Sequence, residues 1–162
     1  MDGSKSDEDL WALVVTAEQQ VARARADFYQ NAGSRRAVLS AALRGSAWDR
    51  GAALSFLEGL PSDVPTLLDQ LVGISLSTGS ALAARKAIAA RNPQVTRSEV
   101  RRLVEEQLPT ADADDWRRLA ELHLHLNDRV ALRGMAARAE GSGDPEIREV
   151  GQDILDWLSE DS

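Results

Sequence analysis

The chain has 162 residues, 43% of them hydrophobic and 28% charged, with no cysteine and a formal net charge of −7. That length and balance fit one globular domain with a real core rather than a disordered segment. The lack of cysteine excludes disulfides, thiolate metal sites and cysteine nucleophiles, and no apolar run reaches the ~20 residues that span a bilayer.

Residues 1–7 are polar and acidic and read as a disordered tail, not a secretory signal; residues 8–159 read as a single helical-repeat domain. Strand signals are nearly absent, while helical periodicity runs throughout. A long helix is expected over 7–31. Its Leu10, Val14, Ala17, Val21, Ala24 and Phe28 recur at alternating steps of four and three, which is a heptad seam. Beside the seam lies a second apolar stripe, Trp11, Val15, Ala22 and Tyr29. "NAGS" ends this helix, and a short one follows from Ser34 to about Leu43.

Further helices are expected near 47–60, 64–77, 80–91, 97–108, 112–126, 128–139 and 145–159. The breaks between them, such as "LPSDVP", "STGS", "RNPQVT" and "EGSGDP", supply stops and caps. Such short loops place successive helices side by side and antiparallel. The fold class is therefore all-α, an irregular stack of about nine helices.

The breaks conceal a repeat. A shift of 48 positions lays Leu60-Pro61-Ser62 on Leu108-Pro109-Thr110, Leu68 on Trp116, Leu71 on Leu119 and Arg85 on Arg133. The repeat covers 60–91 and 108–139, and a unit of about three helices at this period marks a stacked array. "GDPEIREVGQDIL" (Gly143 to Leu155) resembles the second helix of a HEAT-type repeat, and "STGSALAARKAIAAR" (Ser77 to Arg91) is a looser match. The three-helix unit is also similar to armadillo repeats. That resemblance implies a right-handed solenoid that acts as a protein-binding scaffold.

The stretch "AELHLHLND" alternates apolar residues with His123 and His125, the only histidines. As a helix it places Trp116, Leu119, His123, Leu126 and Val130 on one face, with His125 opposite. Histidines two residues apart on a helix point about 160° apart, so they do not share a metal ion. His123 is expected inside the apolar face, bonded to a neighbouring carbonyl or carboxylate; the other reading is a pH-responsive or ligand-contacting group.

Arg97, Arg101 and Arg102, with Arg85, Lys86 and Arg91, form the densest basic run. Pairs Arg101–Glu105 and Arg102–Glu106 are expected to neutralise half of it. Arg85 is expected to pair within the array or to contact a partner. Asp112, Asp114 and Asp115 open a helix and read as capping residues. No phosphate loop or nucleophile elbow occurs.

Residues 109–162 carry 13 acidic and 6 basic side chains, whereas 1–54 (7 and 7) and 55–108 (6 and 6) balance. An acidic end repels phosphate backbones and would suit a basic partner, or simply solvates one face. Arginine outnumbers lysine 17 to 2, as expected of a GC-rich bacterial genome.

The expectation is a non-enzymatic protein-interaction module of a bacterial cytoplasm: an adaptor, a regulatory subunit or an immunity-type protein. It has no cofactor and no metal. Trp11, Val15, Tyr29, Arg85, Arg97 and Arg101 are the candidate contact residues, and the first helix could face a second copy or a partner helix. One alternative is a nucleic-acid-binding HEAT-like protein using the arginine cluster. The other is an enzyme with a carboxylate and His123 in a pocket.

Overall fold

The computed structural model describes residues 5–160, the side chains of Pro93 and Val95 excepted. Among the described residues there are nine α-helices and no strand. They are α1 (Asp7–Asn31), α2 (Arg35–Arg44), α3 (Ala47–Gly59), α4 (Val64–Ile74), α5 (Ala81–Ala90), α6 (Pro93–Gln107), α7 (Ala113–His125), α8 (Arg129–Glu140) and α9 (Pro145–Glu160). Short 3-10 turns at Pro61–Asp63 and Leu108–Thr110 precede α4 and α7. No helix among the described residues is long and apolar enough to cross a membrane.

Two boundaries differ from the sequence reading by more than one residue. α6 begins at Pro93 rather than 97, because Asn92 caps it by accepting the Gln94 N–H at 3.1 Å. Pro93 sits in the first turn, where its missing N–H leaves no bond unmade. α4 stops at Ile74 rather than 77. The Ser75 hydroxyl there donates to the Val72 carbonyl at 2.6 Å and closes the last turn on itself.

The chain divides into two compact units, Met1–Leu39 and Ser40–Ser162. In the first unit, α1 opens on a capping box. Ser6 Oγ accepts the Asp9 N–H at 3.1 Å, and Asp9 accepts the Ser6 N–H at 3.2 Å. Asp7, Glu8 and Asp9 occupy the first turn, where the helix dipole favours acids. No residue of α1 is buried.

In the second unit, α4, α5 and α6 touch one another pairwise, as do α7, α8 and α9. The two triplets share their burial pattern. Leu68 and Trp116, Leu71 and Leu119, Ser75 and His123, and Ala87 and Met135 are all buried at equivalent places. Leu82 and Val130 are exposed at equivalent places. In the third helix the matching register is 50 rather than 48: Val100 and Val104 are buried, as are Val150 and Ile154.

The triplets differ in weight. α8 and α9 pack most extensively of all pairs, while α5 and α6 touch lightly. Gly151 explains the close approach, since a Cβ there would lie 2.7 Å from the Ala139 Cβ.

Arginine side chains reach the carbonyls at several helix C-termini. Arg50 donates to Leu43 O at 3.0 Å and Gly45 O at 3.3 Å, behind α2. Arg97 donates twice to Leu126 O, at 3.2 and 2.8 Å, behind α7. Arg129 reaches Leu158 O at 2.7 Å in α9, and Arg118 reaches Leu76 O behind α4. A rigid, permanently charged fork suits this task better than an ammonium, because it gives paired donors at the negative end of the dipole.

Candidate functional site

Three places hold the sequence-predicted residues: the surface of α1, the end of α4 reached by Arg85, and the junction between α7 and α8. On α1, Trp11 is 67% exposed, and Val15 and Tyr29 are also exposed. So are Leu10, Leu13, Val14 and Val21. Trp11 and Val15 lie one turn apart on one face, while Tyr29 is about 27 Å further along the axis. Arg35 stacks on the Tyr29 ring, 4.7 Å from its centroid, and donates to the Tyr29 carbonyl at 2.8 Å. That fixes the ring at the end of the helix.

The predicted arginines do not form one patch. Arg85 lies mostly inside the second unit. It donates to Ser75 O at 3.4 Å and Arg118 O at 3.3 Å, and pairs with Glu121 at 2.7 Å. Arg97 is engaged at the end of α7. Arg101 turns to Asp128 instead of Glu105, and Glu105 pairs with Arg138. Arg102 does pair with Glu106, as expected, and also with Glu99 at 2.5 Å. Each guanidinium thus reaches a different part of the helical unit, and the basic run in sequence is dispersed by the alternation of helix faces.

The α7–α8 junction is built by the backbone. Asn127 adopts φ 50°, a left-handed conformation that Asn tolerates. The Asn127 N–H then donates to Leu124 O and the Asp128 N–H to His123 O, both at 2.9 Å, which is a Schellman closure. The same turn makes Asp128 the N-cap of α8, its Oδ1 accepting the Ala131 N–H at 3.2 Å. Arg101 from α6 grips the same carboxylate side-on, Nε to Oδ2 at 2.7 Å and a terminal nitrogen to Oδ1 at 2.5 Å.

His123 is 1% exposed, and its Nδ1 lies 3.6 Å from Asp128 Oδ2 with no hydrogen-bond partner. The expected bond to a carboxylate is therefore not made; Asp128 is held by Arg101 and the α8 amide instead. Burial pushes the His123 pKa down to about 4; Asp128 opposes the shift and Arg101 adds to it. The imidazole is neutral at pH 7, so its proximity to Asp128 is not an ion pair. Burial alone would raise the Asp128 pKa. The Arg101 hydrogen bonds, the Ala131 amide and the neighbouring charges outweigh it and hold the carboxyl below its ordinary range.

His123, Arg101, Glu105, Val130 and Met135 line a cleft of about 270 Å³. His125 lies on the exposed side, its pKa lowered by partial burial and then by Arg85 and Lys86. Among the described residues, no group of three or more His, Asp or Glu side chains could hold a metal ion.

The chain was compared with protein-family models, with curated proteins and with solved structures, and it matches none of them. Asp128 is the functional-site residue that sequence reasoning missed. Its signal is present in "LND", where a stop followed by a cap occupies the place that Gly79-Ser80 holds in the other triplet of helices. The identity of its partner, 27 residues upstream, had no sequence signal.

Proposed function

We propose that this chain is a non-enzymatic protein-interaction module: a short, irregular helical stack of the HEAT/armadillo kind that binds through α1. The observation that carries the reading is that α1 has two apolar stripes and not one buried residue. Large exposed apolar surface of this extent marks an interaction site on a soluble domain. Trp and Tyr, at the two ends of the second stripe, are the side chains that most often anchor interfaces. The arginines weigh against a nucleic-acid interface, because Arg85, Arg97 and Arg101 are held by internal carbonyls and carboxylates. A partner that also touches residues 109–162 meets 13 acidic and 6 basic side chains, which favours a basic surface.

Affinity capture from the source cells tests this. A Trp11→Ala and Tyr29→Ala double variant should keep its helicity and lose the protein that the parent chain captures. Undiminished capture would reject α1 as the binding element.

A second reading, a small-molecule cleft at His123, has its own observation: the unpartnered, buried Nδ1 at a cleft wall. A small molecule that shifts the His123 imidazole resonances while leaving α1 unperturbed would favour it.

A further inference from the structure

We propose that the occupant of the α1 seam is a second copy of this chain, with the two α1 helices paired antiparallel. The inference rests on the reading of α1 as the binding element and specifies what binds there. Three features of the helix point to it. The first is size matching along the seam. In an antiparallel pair centred on residue 19, Leu10 faces Phe28 of the second copy, Val14 faces Ala24 and Ala17 faces Val21. Every alanine then meets a valine, so the four inner layers have the same width and only the two Leu10–Phe28 layers at the ends are wider. A parallel pair would instead match each residue with itself. The Ala17 and Ala24 layers would be hollow and the Phe28 layer crowded, and both faults reduce stability.

The second feature is charge. Residues 7–18 carry Asp7, Glu8, Asp9 and Glu18 and no basic side chain. The rest of α1, residues 19–31, carries Arg23 and Arg25 against Asp27 alone. Antiparallel pairing sets the acidic half of one copy along the basic half of the other; parallel pairing sets like against like. The third feature is the dipole: a helix about 37 Å long, paired antiparallel, opposes its macrodipole to that of its neighbour.

One contact runs against the arrangement. Glu18 lies on the seam's flank next to the two-fold axis and faces Glu18 of the second copy. In a parallel pair it would face Leu13 instead. This makes Glu18 a reporter of orientation.

Because the chain has no cysteine, introduced thiols are unique labels. The experiment uses the full chain, Leu10→Cys and Phe28→Cys made separately, with light scattering of the parent over a concentration series. The expected parent mass rises from 17.6 kDa to twice that value. The two variants should form a disulfide only when mixed, and Glu18→Gln should tighten dimerisation roughly twofold. Disulfide formation by Leu10→Cys alone would overturn the antiparallel pairing. A monomer at every concentration would overturn the second copy as occupant, and the binding role of α1 would then stand or fall on the Trp11/Tyr29 capture result. A monomer whose α1 amides are protected from hydrogen exchange would overturn both, since the helix would be covered by its own chain.

Discussion

The α4–α5 and α7–α8 junctions occupy equivalent places in the two triplets and solve the same problem differently. In the first, Ser75 is buried but satisfies itself by donating to Val72 O within its own turn. Ser80, at the start of α5, makes no side-chain cap bond. In the second, His123 replaces Ser75 and Asp128 replaces Ser80. Asn127 closes the turn in a left-handed conformation, and α6 joins the junction through Arg101. The small polar residue needs nothing from its neighbours. The large ones bring a buried carboxylate, which has to be matched by a cation from outside the turn. The second junction therefore ties α6 to α8 through a buried carboxylate, while the first, with no buried charge of its own, is joined to α7 and α5 through its carbonyls, by Arg118 on Leu76 O and Arg85 on Ser75 O.

That difference is open to attack by mutation. Arg101→Ala would leave the Asp128 carboxylate buried without its partner, and should reduce stability by about 3 kcal/mol. Ser80→Ala removes no side-chain bond and should change stability by less than about 0.5 kcal/mol. Urea unfolding of both variants measures the contrast; equal losses would erase the distinction between the junctions.

Acid should separate them next. His123 has a folded pKa of about 4 against 6.5 for the ordinary group, so the unfolded chain takes up the proton first as pH falls. Its contribution is unchanged above pH 6.5 and declines between about 6.5 and 4, by about 3 kcal/mol in all. Asp128, with its folded pKa below the ordinary 3.8, stabilises above that value and loses its contribution as pH falls further. His123→Ser, which installs the residue of the first junction, should flatten the slope between pH 6.5 and 4, whatever its effect on absolute stability. An unaltered slope would show that His123 is not the titrating group.

The third contrast is between the last helices of the triplets. Gly151→Ala would force a Cβ to within 2.7 Å of Ala139 and should destabilise by about 1–3 kcal/mol. Adding Ala139→Gly should restore part of that loss. Failure of the second change to help would mean that α8 and α9 approach closely for another reason.

Helix order and type were legible in the sequence because stops, caps and the 3.6-residue period are local. Pro93 is a first-turn proline, yet the surrounding "RNPQVT" has the composition of a break, so the sequence pattern starts α6 four residues late. The burial of His123 followed from its place on the apolar face. Its missing hydrogen bond did not, since that depends on Arg101, 22 positions away in sequence, having claimed the carboxylate. The inward turn of Arg85 and Arg101 was hidden for the same reason: a sequence shows that a guanidinium lies near a helix face, not which distant carbonyl or carboxylate awaits it. The two stripes of α1 were plain in the sequence, as was the question of what covers them.

The smallest expected effect bears on that question. Leu82 and Val130 are the second residues of α5 and α8, 58% and 64% exposed, and they face solvent at matching places in the two triplets. Leu82→Ser and Val130→Ser remove apolar surface that folding does not bury, so each should alter stability by less than about 0.5 kcal/mol. Equivalence requires the two changes to be alike. A large loss for one alone would show that its position is covered, and the match between the triplets would end at that helix. The same pair of variants also separates the starts of α5 and α8 from α1 as the place of binding. If capture of the partner survives both changes and fails in the Trp11/Tyr29 variant, the repeats serve to hold the fold and α1 makes the contact. If capture fails in either serine variant at unchanged stability, the contact runs along the starts of α5 and α8, and α1 loses its role as the sole binding element.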